Sequence, residues 1–567
     1  MAAPPAPIRT IIFDLGDVLF KWSASTTTSI SPKTLKRILN TSPTWFEYER
    51  GRISESECYE TIGREHSIDP ETLREALVQA RASLCVDPDM VNLIHQLRAR
   101  ADQITIVAMS NISAPDYETV LRTRGQDLAL FDQVFPSCEA GERKPHLGFY
   151  KQVIQKTNAD PATTAMIDDK TENVLTARSL GIHGIVFQDA RQVRREVINL
   201  VGDPVRRALA FLHQNAGRLH SVTQKGQEVR ENFTQLLILE ALKDRTLVNF
   251  VEHPRTWQFF AGADEFHTAD FPCDFDTTSI ALTVLPTSNA LVSSVLDEIL
   301  TYKDNDGIVM TYFDPKRPRV DPVVCVNVLT FFYSQKRGHE LRATFDWVYQ
   351  ILLNRAYLDG SRYYYGPEPF LYFLSRLITN NPDDHGIQTC LKPVYAERVA
   401  ERIGQPGHAQ ELAMRIISCA TVGVANDRDL ATLLKSQNED GSWTVGWFYD
   451  FVALGMHVGN QGLTTALSIT AIEMVRQLKG TAKPGERFSL QMPKDRLQLL
   501  SPSPPSPTPT DEATSPVDQP RSRSRSSRIQ RGKGGADGGE GWLRRMWSNI
   551  GSTRSRRSKS GDSSESE

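Results

Sequence analysis

Cysteine is scarce and scattered: the chain has seven, Cys58, Cys85, Cys138, Cys273, Cys325, Cys390 and Cys419, and none stands in C-x-x-C spacing. This excludes a zinc site of paired thiolates, and the odd count points to reduced thiols inside a cell rather than a disulfide framework. Long apolar runs are also missing. No stretch reaches the roughly 18 apolar residues of a membrane-spanning helix, and the start, MAAPPAPIRTIIFD, has no basic segment leading into an apolar one. A cytoplasmic protein is expected. Charge of one sign is lacking too, with 65 Lys and Arg against 68 Asp and Glu, so no nucleic-acid partner is expected for the chain as a whole. At 567 residues the chain exceeds what one hydrophobic core organises, which predicts two folded domains and extra segments.

What is present falls into three regions. In the first 200 residues, short β-rich apolar runs end on polar groups: Ile8 to Phe13 on Asp14, ITIVAMSN on Ser110 and Asn111, TTAMIDD on Asp168 and Asp169. Helical patterns lie between them, which predicts a parallel α/β sheet with its site at the strand ends. A helix-rich insert, about residues 21–100, is longer than an ordinary βα connection and could act as a lid.

From about residue 205 to 495 the strand signals fade and apolar residues recur at helical spacing, as in RENFTQLLILEALKD and LTTALSITAIEMVRQL, which predicts an all-α domain. Three Asp-Gly pairs, Asp306-Gly307, Asp359-Gly360 and Asp440-Gly441, each precede aromatics and read as turns between helices of a stacked array. Residues 498–567 are rich in Pro, Ser, Arg and Gly and cannot bury enough apolar surface to offset their ordering entropy, so a disordered tail is expected. Within it, Trp542, Leu543, Met546, Trp547 and Ile550 share one helical face beside Arg544 and Arg545, a candidate contact with a membrane surface.

Two constellations carry chemistry. The first joins Asp14, Ser110, Asn111, Lys144 in GERKPHLGFY, Asp168 and Asp169. A carboxylate nucleophile, polar groups and a lysine to hold phosphate oxygens, and further carboxylates for Mg²⁺ are the parts that phosphoryl transfer needs. In this order they resemble the four motifs of the haloacid dehalogenase (HAD) superfamily. The resemblance implies a Rossmannoid α/β domain over about residues 1–200 with a helical C1-type cap at 21–100, Asp14 as nucleophile, Ser110, Asn111 and Lys144 on the phosphate, and Mg²⁺ held by Asp14, Asp168 and Asp169.

The sequence departs from that pattern at Gly16, where many phosphatases of the superfamily carry a second Asp as general acid and base. The acid matters most for a poor leaving group. An alkoxide leaves as the base of an alcohol with pKa near water's ~15.7, whereas a phosphate monoester, with a second pKa of about 6, departs without help. Trimming a diphosphate to a monophosphate is therefore the reaction this site sustains best.

The second constellation is CDFDTTS, residues 273–279, with QNEDGSW at 437–443. Two acids one residue apart in apolar surroundings keep one carboxyl protonated, because burial and a neighbouring carboxylate both disfavour a second charge. An ordinary Asp, with pKa about 3.9, would be ionised at neutral pH. DFDTT and the Q-x-x-D-G-x-W repeat resemble class II terpene cyclases, which protonate a terminal alkene. The resemblance implies an α/α-barrel over 205–495, Asp276 as proton donor with Asp274 as its partner, Thr277 and Thr278 orienting the pair, and Trp443 among the substrate contacts.

The domain also holds many aromatics suited to facing a carbocation, among them Trp257, Phe259, Phe260, Phe271, Phe275, Tyr364, Phe370 and Phe448. DPKRPRVDPVVCVNVL, with Lys316, Arg317, Arg319, Asp321 and Asn327, is a candidate diphosphate contact. No D-D-x-x-D cluster of the kind that expels diphosphate is present; NNPDDHG lacks the third acid.

Together the two domains resemble HAD-type sesquiterpene synthases of fungi and bacteria that make drimane skeletons. That implies farnesyl diphosphate as substrate, a bicyclic drimanyl or albicanyl diphosphate as product, and trimming by the first domain, with separate phosphatases or oxidases acting downstream. Two other classes fit the same residues: a HAD-like phosphatase with a helical interaction module, and a cyclase with an inert first domain.

Overall fold

The strand TIIF, Thr10–Phe13, lies at the centre of a five-stranded parallel sheet in the order Gln133–Pro136, Thr105–Ser110, Thr10–Phe13, Thr164–Asp168, His183–Val186. The computed structural model describes residues 8–100, 104–262, 266 and 271–481. Alternation divides the strand residues between two cores. Ile11, Phe13, Ile106, Ala108, Ala165 and Ile167 join one face, and Ile12, Val107, Met109 and Met166 join the other. Both faces are covered, as parallel sheets require. Asp14, Ser110 and Asp168 therefore share one edge, at the carboxyl ends of three adjacent strands.

The insert begins and ends on a two-stranded ribbon, Phe20–Lys21 against Cys85–Val86. Between them stand four helices, Pro32–Thr41, Pro43–Glu49, Glu55–His66 and Pro70–Ala82. Ser31, Ser42, Ser54 and Asp69 cap them by accepting from a helix N–H. Leu35, Ile38, Trp45, Tyr59, Ile62 and Leu73 give this lid a core of its own. It is shorter than the expected 21–100. The helix Pro88–Arg98 packs Met90, Leu93, Ile94 and Leu97 into the sheet's core, so the insert closes at the ribbon.

Beyond residue 204 six inner helices form a closed ring: Asn232–Leu242, Phe275–Val284, Pro322–Ser334, Glu368–Asn380, Ala409–Thr421 and Gln461–Thr481, each packed on the next and the last on the first. They are apolar nearly all round, as in VVCVNVLTFF, and helices such as Pro204–Gln214, Arg342–Leu353, Lys392–Glu401 and Asp427–Lys435 pack outside them. This is an α/α-barrel. The domain is not all helical, however. Ser221–Thr223, Glu228–Val229, Trp447–Phe451 and Met456–Gly459 form a four-stranded antiparallel sheet, with period-two runs too short to stand out in a helical background.

QNEDGSW joins the two domains. Arg207 donates to Asn199 Oδ1 at 2.6 Å, to Gln437 Oε1 at 2.9 Å and to the Asn438 carbonyl at 2.6 Å. Arg194 pairs with Glu439 at 2.9 Å. Gly441 is obligatory at this turn: its φ is +93°, and a Cβ there would stand 2.3 Å from the Arg207 carbonyl oxygen. Trp443 is fully enclosed, its indole donating to the Leu433 carbonyl at 2.8 Å. The indole thereby ties the turn to the helix Asp427–Lys435. The tail, 498–567, with its Trp542 to Ile550 island, lies outside the described residues.

Candidate active sites

At the sheet edge Asp14, Asp168 and Asp169 bring three carboxylates within 4.8 Å of one another. Lys144 reaches between two of them, with Nζ 2.8 Å from Asp14 and 2.6 Å from Asp168, and is 1% exposed. Burial pushes Asp14 up to about 8, against the pull of Lys144 and with the charge of Asp168 adding to it. Asn111 holds Lys144 in place, accepting its backbone N–H at 2.8 Å and donating to its carbonyl at 3.0 Å. Ser110 is buried at the strand end beside it.

Two participants were not anticipated. Asn173 donates to Asp168 at 2.8 Å, and Lys170 pairs with Asp169 at 2.6 Å. Both lie within five residues of the Asp168-Asp169 pair, in DDKTEN, and that proximity was the only signal for them. Hard oxygen ligands at this spacing suit Mg²⁺, so the residues fit the ion the fold implies. Gly16 stands at the same edge, with no atom within 4 Å of where its Cβ would be.

In the barrel, Asp274 caps the second inner helix, accepting from the Thr277 N–H at 2.6 Å, and Asp276 follows in its first turn. Phe275, between them, packs edge-on against Phe313, with ring centres 4.4 Å apart. Thr278 ties the helix start to Trp257, accepting its N–H at 2.8 Å. Both acids are buried. Asp274 is raised to about 8 by burial and by the charge of Asp276, and its Oδ2 has no hydrogen-bond partner among the described residues. Burial raises Asp276 to about 7, with hydrogen bonds from Tyr364 and Asn327 pulling the other way.

Asn327 Nδ2 donates to Asp276 Oδ1 at 2.6 Å, and the Tyr364 hydroxyl meets Oδ2. Asn327 is therefore engaged with Asp276. The rest of its basic stretch separates from it: Lys316 and Arg319 are exposed, while Asp321 is a buried cap on the third inner helix. The Tyr364 ring sits among Phe233, Phe373 and Phe448, with ring centres 5.4 to 6.2 Å away. A second aromatic group, Phe259, Phe260, Phe271, Tyr449 and Phe451, packs edge to face nearby in the fold. Phe370 stacks on Tyr357 and Trp257 packs on Phe250.

The family of sesquiterpene cyclase astC-like C-terminal domains matches residues 205–335, and that of haloacid dehalogenase-like hydrolases matches residues 8–181. The drimenol cyclase of Aspergillus calidoustus is 42% identical over 467 residues, 82% of this chain and 88% of that protein. The chain belongs to the drimenol cyclase family. Its barrel is the family's sesquiterpene cyclase domain, and the parallel sheet before it is HAD-like. The sesquiterpene phosphatase of Aspergillus oryzae is 34% identical over 194 residues, 34% of this chain and 97% of that protein. Among solved structures, a HAD-like family hydrolase from Porphyromonas gingivalis is 25% identical and covers 32% of this chain and 91% of its own, at a TM-score of 0.27. No helix among the described residues is long and apolar enough to cross a membrane.

Proposed function

We propose that this cyclase acts on farnesyl diphosphate, protonating the terminal alkene from Asp276 to give a drimane-type bicyclic diphosphate. The observation that carries this reading is the buried pair of acids, both raised far above an ordinary Asp, at the start of an inner helix. An alkene is a very weak base, so the donor must be neutral at working pH and leave a stabilised carboxylate. Asp276 meets both demands: burial keeps it protonated, and donors from Asn327 and Tyr364 are in place for the anion. Among the described residues Asp274 Oδ2 has no such donor, and Asp274 fits the part of the neutral partner. Aromatic faces around Tyr364 suit a developing cation because they supply no base to quench it.

The first domain then trims the product. Asp14 is placed to attack the terminal phosphorus, and Lys144 can neutralise charge on the transferring oxygens. Asp14, Asp168 and Asp169 would hold Mg²⁺, which when bound offsets the charge of the phosphate oxygens. With Gly16 in place of an acid, monophosphate is the expected end point. Incubation with farnesyl diphosphate and Mg²⁺, followed by mass spectrometry of phosphorylated and neutral products, tests the scheme. A bicyclic monophosphate supports both halves, a bicyclic diphosphate leaves the first domain inert, and linear products alone refute the cyclase half.

A further inference from the structure

One buried ion pair in the barrel has no part in the scheme above. Arg376, on the fourth inner helix, is only 8% exposed, yet its guanidinium forks onto Glu240 of the first inner helix at 2.7 and 2.8 Å. Its remaining Nη1 donates to Asn327 Oδ1 at 2.9 Å, and the same Asn327 amide donates to Asp276. Four side chains from four inner helices thus form one chain: Glu240, Arg376, Asn327, Asp276.

The order of these groups matters because an amide has two nearly isosteric ends. Arginine has donors and no acceptor, so Asn327 can present only its oxygen to Arg376 and only its NH₂ to Asp276. Without Arg376 the amide could turn. Its oxygen would then accept the Asp276 proton and hold it away from an alkene. With the amide fixed, Asp276 Oδ1 is committed as an acceptor, and the acid's proton falls to Oδ2, which takes the Tyr364 hydroxyl on a lone pair and still carries the proton.

We propose that Arg376, anchored by Glu240, is a positioning residue for the cyclisation: it locks the Asn327 amide so that Asp276 carries its transferable proton on Oδ2. In the step, the Oδ2–H bond breaks and its proton forms a C–H bond with the alkene, whose π electrons supply the new bond. Positive charge passes to the substrate and Asp276 becomes a carboxylate. That carboxylate is held by the Asn327 N–H on Oδ1 and the Tyr364 O–H on Oδ2, and lies in the field of Arg376. Glu240 keeps the guanidinium paired, so the arginine does not bond Asp276 directly. The inference rests on the cyclase reading of Asp276.

The charged and titratable groups facing Asp276 are Asp274 on its own helix, Asp321 and Cys325 on the third inner helix, Tyr364 before the fourth, and Arg376, with Glu240 behind it. Removing the arginine's cation favours the neutral acid, so the alkaline limb of the rate profile should move to higher pH while the rate itself falls.

The test is a pH profile of kcat and KM for bicyclic product from farnesyl diphosphate, on the full-length wild type, Arg376→Lys, Arg376→Met and the double variant Glu240→Leu with Arg376→Met. The double variant removes both buried charges, so it stays foldable where the single change leaves Glu240 unpaired. For the double variant we expect kcat to fall about a hundredfold with KM nearly unchanged and the alkaline limb displaced upward. Arg376→Lys, which keeps a cation and a donor, should recover part of the rate. A folded double variant with wild-type kcat and an unmoved limb would overturn the lock, as would a loss of rate equal at every pH. A wild-type protein that forms no bicycle would instead overturn the cyclase reading beneath it.

Discussion

Asn327 reaches Asp276 across 51 positions of sequence and 2.6 Å of space, from the third inner helix to the second. That contact gives Asp276 a donor from another helix for its conjugate base, whereas Asp274 accepts the Thr277 N–H of its own helix on Oδ1 and its Oδ2 has no partner among the described residues. The difference supports the separate roles proposed for Asp274 and Asp276, which their spacing in CDFDTTS does not distinguish.

The rate of cyclisation should follow the protonated fraction of Asp276. With that carboxyl raised to about 7, the acid form dominates below neutrality and is lost above it. The bicyclic product rate, measured at saturating substrate, should be flat at acid pH and fall about tenfold per pH unit well above 7. A rate rising through pH 8 would contradict a neutral-acid donor.

The two activities should separate by mutation. Asp276→Asn removes the proton and should cut bicyclic product about a thousandfold or more, with phosphate release from farnesyl diphosphate intact. Asp14→Asn should do the reverse, leaving a bicyclic diphosphate. Loss of both activities in either variant, with the fold unchanged by circular dichroism, would mean that the domains do not divide the work.

Gly16 offers a gain-of-function test. Its Cβ would meet nothing within 4 Å, and its backbone is outside the left-handed region, so Asp can be installed without strain. Gly16→Asp supplies an acid for an alcohol leaving group. Phosphate release from the bicyclic monophosphate should rise about tenfold or more, while cleavage of the diphosphate changes little. An unchanged monophosphate rate would show that the missing acid is not what stops the reaction.

Much of this was legible in the sequence. Asp14, Ser110, Asp168 and Asp169 stand out because apolar strand runs end on them, and strand ends are where open parallel sheets gather polar groups. Asp274 and Asp276 stand out by their spacing. Arg376, Glu240 and the role of Asn327 were not legible, because each lies inside an apolar helix and its partner is on another helix; no local pattern records that meeting. Trp443 shows the opposite case. Its motif is plain, and the structure shows that the same motif, through Gln437, Asn438 and Glu439, also holds Arg207 at the joint between the domains. The short strands Trp447–Phe451 and Met456–Gly459 were hidden because period-two runs of four or five residues do not stand out beside 21-residue helical ones.

Stability should carry the mark of the same acids. Asp274 titrates near 3.8 when unfolded and near 8 in the fold, so between those values the folded chain binds more protons. Its contribution is fully present below about pH 4 and is lost as pH rises through 8. Asp274→Asn has no such titration, and its fall in Tm between pH 6 and pH 9 should be smaller than that of the wild type. Equal falls would mean that Asp274 ionises as freely in the fold as in the open chain.

The proposed cascade begins with a proton from Asp276, itself exchangeable with water. The most direct measurement is to run the reaction with farnesyl diphosphate in D₂O and locate deuterium in the bicyclic product by mass spectrometry and NMR. One deuterium bonded to carbon at the protonated alkene position, absent with Asp276→Asn, is the predicted result. A bicyclic product without carbon-bound deuterium would contradict initiation by protonation.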